Sequence, residues 1–237
     1  MSKVQLFIPC FVDQLYPESA VNMFKILKEA GLEVEYNANQ TCCGQPAFNS
    51  GFWQEAEDIA KKWLGDMQKY DLSIVSPSSS CVGFVRNFYQ DIFPENENFQ
   101  KITAKTYEFT EYLVDIIGKT DFGARLDARA VYHDSCAALR ECKIKAAPRK
   151  LLENVKGLTL LDLPDADQCC GFGGTFSVKF EPISAAMAEK KVQHAISVGA
   201  EIIISADMSC LMQLQGYISI KKLPVKTMYI ADVLVSR

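Results

Sequence analysis

Short apolar runs alternate along the chain with longer segments of helical periodicity, and the whole alternation occurs twice. Residues 3–10 (KVQLFIPC) and 129–136 (RAVYHDSC) are rich in β-branched and aromatic side chains and end at turn-forming residues, as strands do. A helical segment follows each of them, at 18–31 and at 147–157. Both helical segments end on a glycine, which is suited to the residue just past a helix.

The remaining segments of each unit continue the same order. A second strand, a longer helix and a third strand follow in both units: residues 32–36, 52–70 and 72–78 in the first, and residues 158–163, 183–200 and 201–207 in the second. Strands that alternate with helices predict an α/β fold of two pseudo-symmetric repeats, each a parallel sheet flanked by helices. Residues 99–118 lie between the two units and show a helical apolar face, which predicts a connecting helix. The polar stretch at 119–125 places the boundary, giving a first repeat at 1–122 and a second at 123–237.

Eight of the nine cysteines fall into two matched sets. The first quartet is Cys10, Cys42, Cys43 and Cys81, and the second quartet is Cys136, Cys169, Cys170 and Cys210. The gap before the adjacent pair is 32 residues in the first quartet and 33 in the second, and the gap after it is 38 and 40. This correspondence indicates an internal duplication. Cys142 lies outside both quartets, and we expect it to be a free thiol.

Each cysteine of a quartet lies just after a predicted strand. The carboxyl ends of parallel strands form the edge at which open α/β sheets bind ligands. We therefore expect each quartet to converge at the edge of its own sheet. Cys81 and Cys210 also begin predicted helices, where backbone N–H groups favour a thiolate.

Adjacent cysteines suit a polynuclear metal cluster, because neighbouring side chains of an extended backbone point to opposite sides and can bind different metal ions. Gly44 and Gly171 follow the two pairs and permit positive φ and close approach of the backbone to a cluster. Sites rich in thiolate suit iron–sulfur clusters or zinc, and four cysteines per repeat meet the requirement of a [4Fe–4S] cluster. Zinc is the alternative, although its short C-x₂₋₄-C spacings are missing from the sequence. Small core cysteines are the plain structural alternative.

Composition and charge argue against nucleic-acid binding, membrane spanning and secretion. The net charge of -4 gives no basic surface for nucleic acid. No apolar run approaches the ~18–20 residues that span a membrane. The first residues show no signal-peptide pattern, so we expect a cytoplasmic protein whose cysteines do not form a disulfide framework.

Several stretches resemble a known family. The spacing of the quartets is similar to the CCG cysteine-rich domain found in heterodisulfide reductase and in the iron–sulfur subunit of glycolate oxidase. The stretches LFIPCFVDQLYP, QTCCGQPAFNSG, SPSSSCVGF, YHDSCAALRE, DQCCGFGGTFSVKF and MAEKK resemble the lactate-utilisation protein A branch of that family. The resemblance covers nearly the whole chain. It implies an iron–sulfur electron-transfer subunit of a complex that oxidises L-lactate to pyruvate, with a ferredoxin-like iron–sulfur protein and a third small subunit as partners.

The chain departs from the fuller family pattern at two positions. Heterodisulfide reductase ends each set in C-x-x-C, and here Ser78 and Asp207 replace the first cysteine of that ending. Three alternatives stay open for these two side chains: their oxygen atoms ligate a cluster weakly, they leave one iron with an open position, or they have no role. We expect four thiolate ligands per cluster. His133 resembles a family position and is a candidate hydrogen-bond donor to a cluster or proton relay, with helix capping as the plain alternative.

Two other functions stay open from the sequence. One is a CCG-domain subunit that reduces a disulfide or a quinone. The other is a zinc-stabilised interaction module without redox chemistry.

Overall fold

The computed structural model describes residues 2–93 and 97–237 of the chain. The strands of the first repeat are β1 (Lys3–Leu6), β2 (Glu33–Tyr36), β3 (Ser73–Ser76) and β4 (Thr106–Glu108), and those of the second are β5 (Arg125–Tyr132), β6 (Lys156–Leu161), β7 (Ile202–Ser205) and β8 (Lys226–Tyr229). They form two parallel sheets with the orders β2-β1-β3-β4 and β6-β5-β7-β8. The identical orders confirm the prediction of an α/β fold with two pseudo-symmetric repeats.

Helices flank both sheets. In the first repeat they are α1 (Cys10–Leu15), α2 (Pro17–Glu29), α3 (Gln45–Asn49), α4 (Trp53–Met67), α5 (Ser79–Ile92), α6 (Glu97–Ala104) and α7 (Phe109–Glu111), with a π-helical turn at Tyr112–Ile116. In the second they are α8 (Ala146–Leu152), α9 (Thr175–Lys179), α10 (Glu181–Ser197), α11 (Met208–Lys221) and α12 (Ile230–Leu234), with a π-helical turn at Ala137–Glu141. Among the described residues, no helix is long and apolar enough to cross a membrane.

The burial of each strand follows its place in the sheet. The inner strand β7 reads IIIS and is buried throughout. The edge strand β2 reads EVEY and exposes both of its ends. Continuous apolar strands are typical of parallel sheets covered by helices on both faces, and a polar edge prevents further pairing.

The single helix predicted for residues 99–118 is instead broken in two, because β4 separates α6 from α7. Thr106 and Tyr107 have high β-propensity and pair with β3. Glu108 then caps a new helix through a reciprocal pair of hydrogen bonds with Glu111. The sequence pattern also missed β8, the corresponding fourth strand of the second repeat.

The two glycines predicted just past a helix behave differently. Gly31 follows α2 with a φ of 83°, as predicted. Gly157 also has a positive φ of 81°, but it lies within β6, and α8 ends at Leu152. The positive φ itself favours glycine here, and a Cβ would also lie 3.3 Å from the Cα of Asp127 on β5.

The two repeats share one hydrophobic core. The largest cluster of buried apolar side chains holds residues from both, such as Leu113 of the first repeat and Leu151 of the second. Separate smaller clusters fill the outer side of each sheet. Across the interface, the Tyr229 hydroxyl donates to the carbonyl of Pro77 at 3.1 Å. Ser78 and Asp207 pair as an isolated antiparallel bridge, which places the ends of β3 and β7 side by side.

Candidate metal centre

All eight cysteines of the two quartets line a single cavity of about 380 Å³. The strand ends explain this placement, because the loops and helices that carry the cysteines follow β1, β2 and β3 and their counterparts β5, β6 and β7. Cys81 and Cys210 are the third residues of α5 and α11. We predicted a separate edge for each quartet. The pairing of Ser78 with Asp207 turns the two edges toward each other, so the quartets face a common space.

Each adjacent pair contains one thiol with a strongly lowered pKa. A hydrogen bond from Cys10, with a further one from Cys43, lowers the pKa of the Cys42 thiol to about 3. The corresponding bonds from Cys136 and Cys170 lower the pKa of Cys169 to about 2.

The backbone adds to this stabilisation. The N–H of Gly44 donates to the Cys42 sulfur at 3.3 Å, and the N–H of Gly171 donates to the Cys169 sulfur at 3.4 Å. A thiolate is the form of cysteine that binds metal. The cysteines within each quartet are therefore close enough to share protons, and each quartet stabilises at least one anionic ligand.

The glycines after the pairs have positive φ, 94° at Gly44 and 90° at Gly171. Their lack of a side chain also serves the packing of the following helix. A Cβ on Gly44 would lie 3.1 Å from the carbonyl oxygen of Ala56, and one on Gly171 would lie 2.6 Å from that of Ser184. Close approach to α4 and α10 thus accounts for both glycines, and their contact with a cofactor stays a prediction.

Ser78 and Asp207 are the N-terminal caps of α5 and α11. The Ser78 hydroxyl accepts a hydrogen bond from the N–H of Cys81. The Asp207 carboxylate accepts one from the N–H of Ser209 and also bonds the first turn of α5, at the N–H of Ser80. Capping therefore explains both residues without a metal. Asp207 nevertheless lines the cavity, whereas Ser78 is fully buried behind it.

His133 is fully buried; its ring interacts with the backbone of Ala166, but neither ring nitrogen makes a hydrogen bond of normal geometry within the described part of the chain. A ring nitrogen and the sulfur atoms of Cys170 and Cys210 all lie within 4.8 Å of one another. Burial lowers the pKa of His133 to about 3, so the ring is neutral and offers one donor and one acceptor. The capping alternative is not what the structure shows, because the ring is turned toward the second quartet.

Lys191 is a residue that the sequence analysis did not identify. It lies on α10 and is only 2% exposed. Its ammonium group donates to the backbone carbonyl of Asp165 and interacts electrostatically with Cys170. The signal was present in the duplication, because aligning the repeats places this lysine opposite Trp63.

Cys142 lies outside the cavity, as expected. It is buried, and its thiol donates to the carbonyl of Ser79 at 3.4 Å. Burial raises its pKa, which disfavours a metal-binding thiolate. All nine cysteines belong to the described residues, and all are free thiols.

Eight thiols around one cavity, with the His133 imidazole beside two of them, fit a thiolate-bound metal or cluster. Buried polar groups normally find hydrogen-bond partners, so a histidine without one points to a missing ligand. Two carboxylates, Asp207 and Glu141, line the cavity beside the eight cysteines, and its other oxygen-bearing side chains are neutral hydroxyls and amides. Such a donor set selects zinc or iron–sulfur clusters over hard cations.

Comparison with known proteins supports this assignment. The sequence profile of a family described as CCG, cysteine-rich domain, matches residues 4–86 and 130–215. "Lactate utilization protein A" from Geobacillus sp. (strain WCH70) is 42% identical over 239 residues, which cover 99% of this chain and all of that protein. "Lactate utilization protein A 1" from Bacillus mycoides (strain KBAB4) is 44% identical over 237 residues, covering 98% of this chain and 96% of that protein.

Among solved structures, the chain resembles a hypothetical protein from Helicobacter pylori. The TM-score is 0.62 at 13% identity, and the match covers 99% of this chain and 48% of that one. At this identity the likeness shows the fold alone.

Proposed function

The chain belongs to the CCG cysteine-rich domain family and to its lactate utilization protein A group, and from this we propose that it is the iron–sulfur electron-transfer subunit of a system that oxidises L-lactate to pyruvate. The observation that carries the proposal is the cavity lined by both cysteine quartets. A quartet is the usual ligand set of a [4Fe–4S] cluster. We propose one such cluster in each repeat.

Other residues near the quartets have proposed supporting roles. His133 is proposed to donate a hydrogen bond to the cofactor of the second repeat, because its buried ring lies beside the sulfur atoms of Cys170 and Cys210. Asp207 is proposed to contact the cofactor through the cavity that it lines. Ser78, behind the cavity, holds the first turn of α5 and so orients Cys81. Gly44 and Gly171 hold the turns of the adjacent pairs.

A partner protein is part of this proposal. Oxidation of lactate to pyruvate removes two electrons and two protons, formally a hydride and a proton, which normally calls for a flavin or a nicotinamide. The stretch GFGG at 171–174 lacks the G-x-G-x-x-G spacing of a dinucleotide site. Iron–sulfur clusters would supply single-electron transfer. We therefore propose a cytoplasmic complex with a ferredoxin-like iron–sulfur protein and a third small subunit.

The metal assignment is tested by purifying the protein without oxygen and measuring iron, acid-labile sulfide and zinc. We expect iron and sulfide, with EPR signals after reduction. Cys43→Ser and Cys170→Ser should each lose about half of the iron, because each removes one ligand from one quartet. Cys142→Ser is the matched control and should keep all of it, since this buried cysteine lies outside the cavity. A colourless protein that contains zinc would contradict the proposal.

The role in lactate oxidation is tested with the cluster-loaded protein and its partner subunits. The isolated chain should not reduce a dye with L-lactate as donor, and adding the partners should restore dye reduction. Cys43→Ser or Cys170→Ser should abolish the restored rate, while Cys142→Ser should not. Lactate-dependent reduction by the chain alone would place the catalytic site within it and refute the electron-transfer assignment.

The shared cavity also favours a second candidate, a subunit that reduces a disulfide or a quinone. A small molecule between the quartets would receive one electron from each, and two electrons with two protons convert a disulfide into two thiols or a quinone into a quinol. Rapid reoxidation of the dithionite-reduced protein by a small disulfide or quinone, at a rate saturating with its concentration, would support this candidate. Reoxidation only by a protein partner would favour the first.

A further inference from the structure

Besides the helix caps Ser78 and Asp207, the surroundings of the two quartets differ at two further positions that the duplication makes equivalent. One lies at the end of the first strand segment of each repeat, three residues before the first cysteine, and is Phe7 in the first repeat and His133 in the second. The other lies on the long helix, seven residues after Ala56 or Ser184, which pack against the glycine of each CCG turn. It is Trp63 in the first repeat and Lys191 in the second. The comparison is therefore between matched places in the same fold.

In the first repeat both positions are buried aromatic side chains, and their one polar atom, the indole nitrogen of Trp63, has no hydrogen-bond partner in the described part of the chain. The rings of Phe7 and Trp63 meet edge to face with their centroids 5.4 Å apart. Trp63 packs against Tyr89 in the same way at 5.5 Å. The same hydrophobic cluster includes Cys43 and Cys81. These aromatic side chains bring no net charge to the first quartet.

In the second repeat the same two positions are polar, and both are buried. His133 has its ring beside the sulfur atoms of Cys170 and Cys210. Lys191 places an ammonium group close enough to interact electrostatically with Cys170 and with the His133 ring. The lysine also lines a small cavity of about 220 Å³ together with Cys169. Four carboxylates reduce this positive field: Asp165 and Asp167 on the neighbouring loop, the buried Asp134, and the buried Asp207, which acts on Cys136 and Cys210.

We propose that the second quartet holds its electron at a higher reduction potential than the first, because Lys191 and His133 stabilise the added negative charge. The inference rests on the proposed function, since it requires a redox cluster in each quartet. Cluster potentials depend on nearby charge and on hydrogen bonds to sulfur. A charge inside a protein also acts more strongly than one in water. An electron in the first repeat therefore moves downhill to the second, which oxidises the first site and reduces the second by one electron.

The experiment is an anaerobic redox titration of the cluster-loaded protein, followed by EPR. We expect two reduction steps. Cys43→Ser should remove the lower step and Cys170→Ser the upper one, which assigns each step to its quartet. Lys191→Met should decrease the reduced-to-oxidised ratio of the upper step about tenfold at a fixed applied potential, a shift of about 59 mV for a one-electron couple. The lower step should not move.

Three further variants separate charge from packing. Lys191→Arg keeps the charge and should keep the upper potential. Lys191→Gln keeps a donor for the Asp165 carbonyl but loses the charge, and should behave like Lys191→Met even if the methionine variant folds poorly. Lys190→Met removes a neighbouring charge that is 52% exposed and paired with Asp165, and should move neither step detectably.

The possible failures are distinguishable. Protein without iron and sulfide would refute the proposed function itself. Two clusters that titrate together, an upper step assigned to the first quartet, or an upper step unmoved by both Lys191→Met and Lys191→Gln would overturn the inference while leaving the proposed function intact.

Discussion

Glu108 is a buried carboxyl group at the contact between the repeats, and its replacement should change how stability depends on pH. It is fully buried at the end of β4. One carboxylate oxygen accepts hydrogen bonds from the backbone N–H groups of Thr110 and Glu111. The other has no hydrogen-bond partner within the described part of the chain. Burial raises the pKa of Glu108 to about 7, although the hydrogen bonds from Thr110 and Glu111 lower it in part.

The magnitude follows from the difference between that pKa and the ordinary value of 4.5. Each unit of pKa corresponds to about 1.36 kcal/mol, so ionisation of Glu108 costs the folded state about 3 kcal/mol. The folded chain binds this proton more tightly than the unfolded chain does. Protonated Glu108 therefore makes its full contribution to the free energy of unfolding below about pH 4.5. That contribution declines as the pH rises and is lost above about pH 7.

Glu108→Gln should remove this dependence, because an amide does not ionise and its oxygen can still accept the two capping hydrogen bonds. The assay is urea unfolding of the reduced, cluster-free protein between about pH 5 and about pH 8. The free energy of unfolding of the wild type, minus that of the variant, should fall by about 2–3 kcal/mol across this range. The exposed Glu153→Gln is the control and should give a constant difference. A constant difference for Glu108→Gln as well would refute the reasoning.

Two further predictions concern positions next to the quartets. Gly171→Ala should lower the iron content and the thermal stability, because its Cβ would lie 2.6 Å from the carbonyl oxygen of Ser184. Gly51 has a similarly positive φ but open space around it, so Gly51→Ala should be the milder change in both assays. Arg149→Met should destabilise the fold by about 3–5 kcal/mol in urea titrations, because it leaves the buried carboxylate of Asp134 without the two hydrogen bonds of 2.7 and 2.6 Å that it receives. A cost below about 1 kcal/mol would show that water replaces the arginine.

The duplication and the parallel sheets could be predicted because their signals are read directly from the chain. Apolar runs and helical periodicity are local, and the gaps between cysteines match between the two halves of the sequence. The short strand β4 could not be predicted in the same way. Only three residues long, it sits inside a stretch with a helical apolar face, and its pairing with β3 outweighs that local preference.

The meeting of the two quartets in one cavity was also beyond local reasoning. It depends on how the repeats pack, and the contacts that set this are long-range pairs such as Ser78 with Asp207 and Tyr229 with Pro77. Lys191 was missed for a different reason. A lysine on a helix is usually solvated, and only its alignment with the fully buried Trp63 signals an interior position.

The bridge between Ser78 and Asp207 has a consequence for how a duplicated chain evolves. If a single repeat paired with a copy of itself, the bridge would bring together two serines or two buried aspartates. The second arrangement would set two carboxylates against each other, and like charges at short range in a protein interior are costly. In this chain the Asp207 carboxylate instead receives the N–H of Ser80 from the opposite repeat. The divergence of these two positions makes each repeat a better partner for the other than for its own copy, so the fused pair resists exchange between molecules.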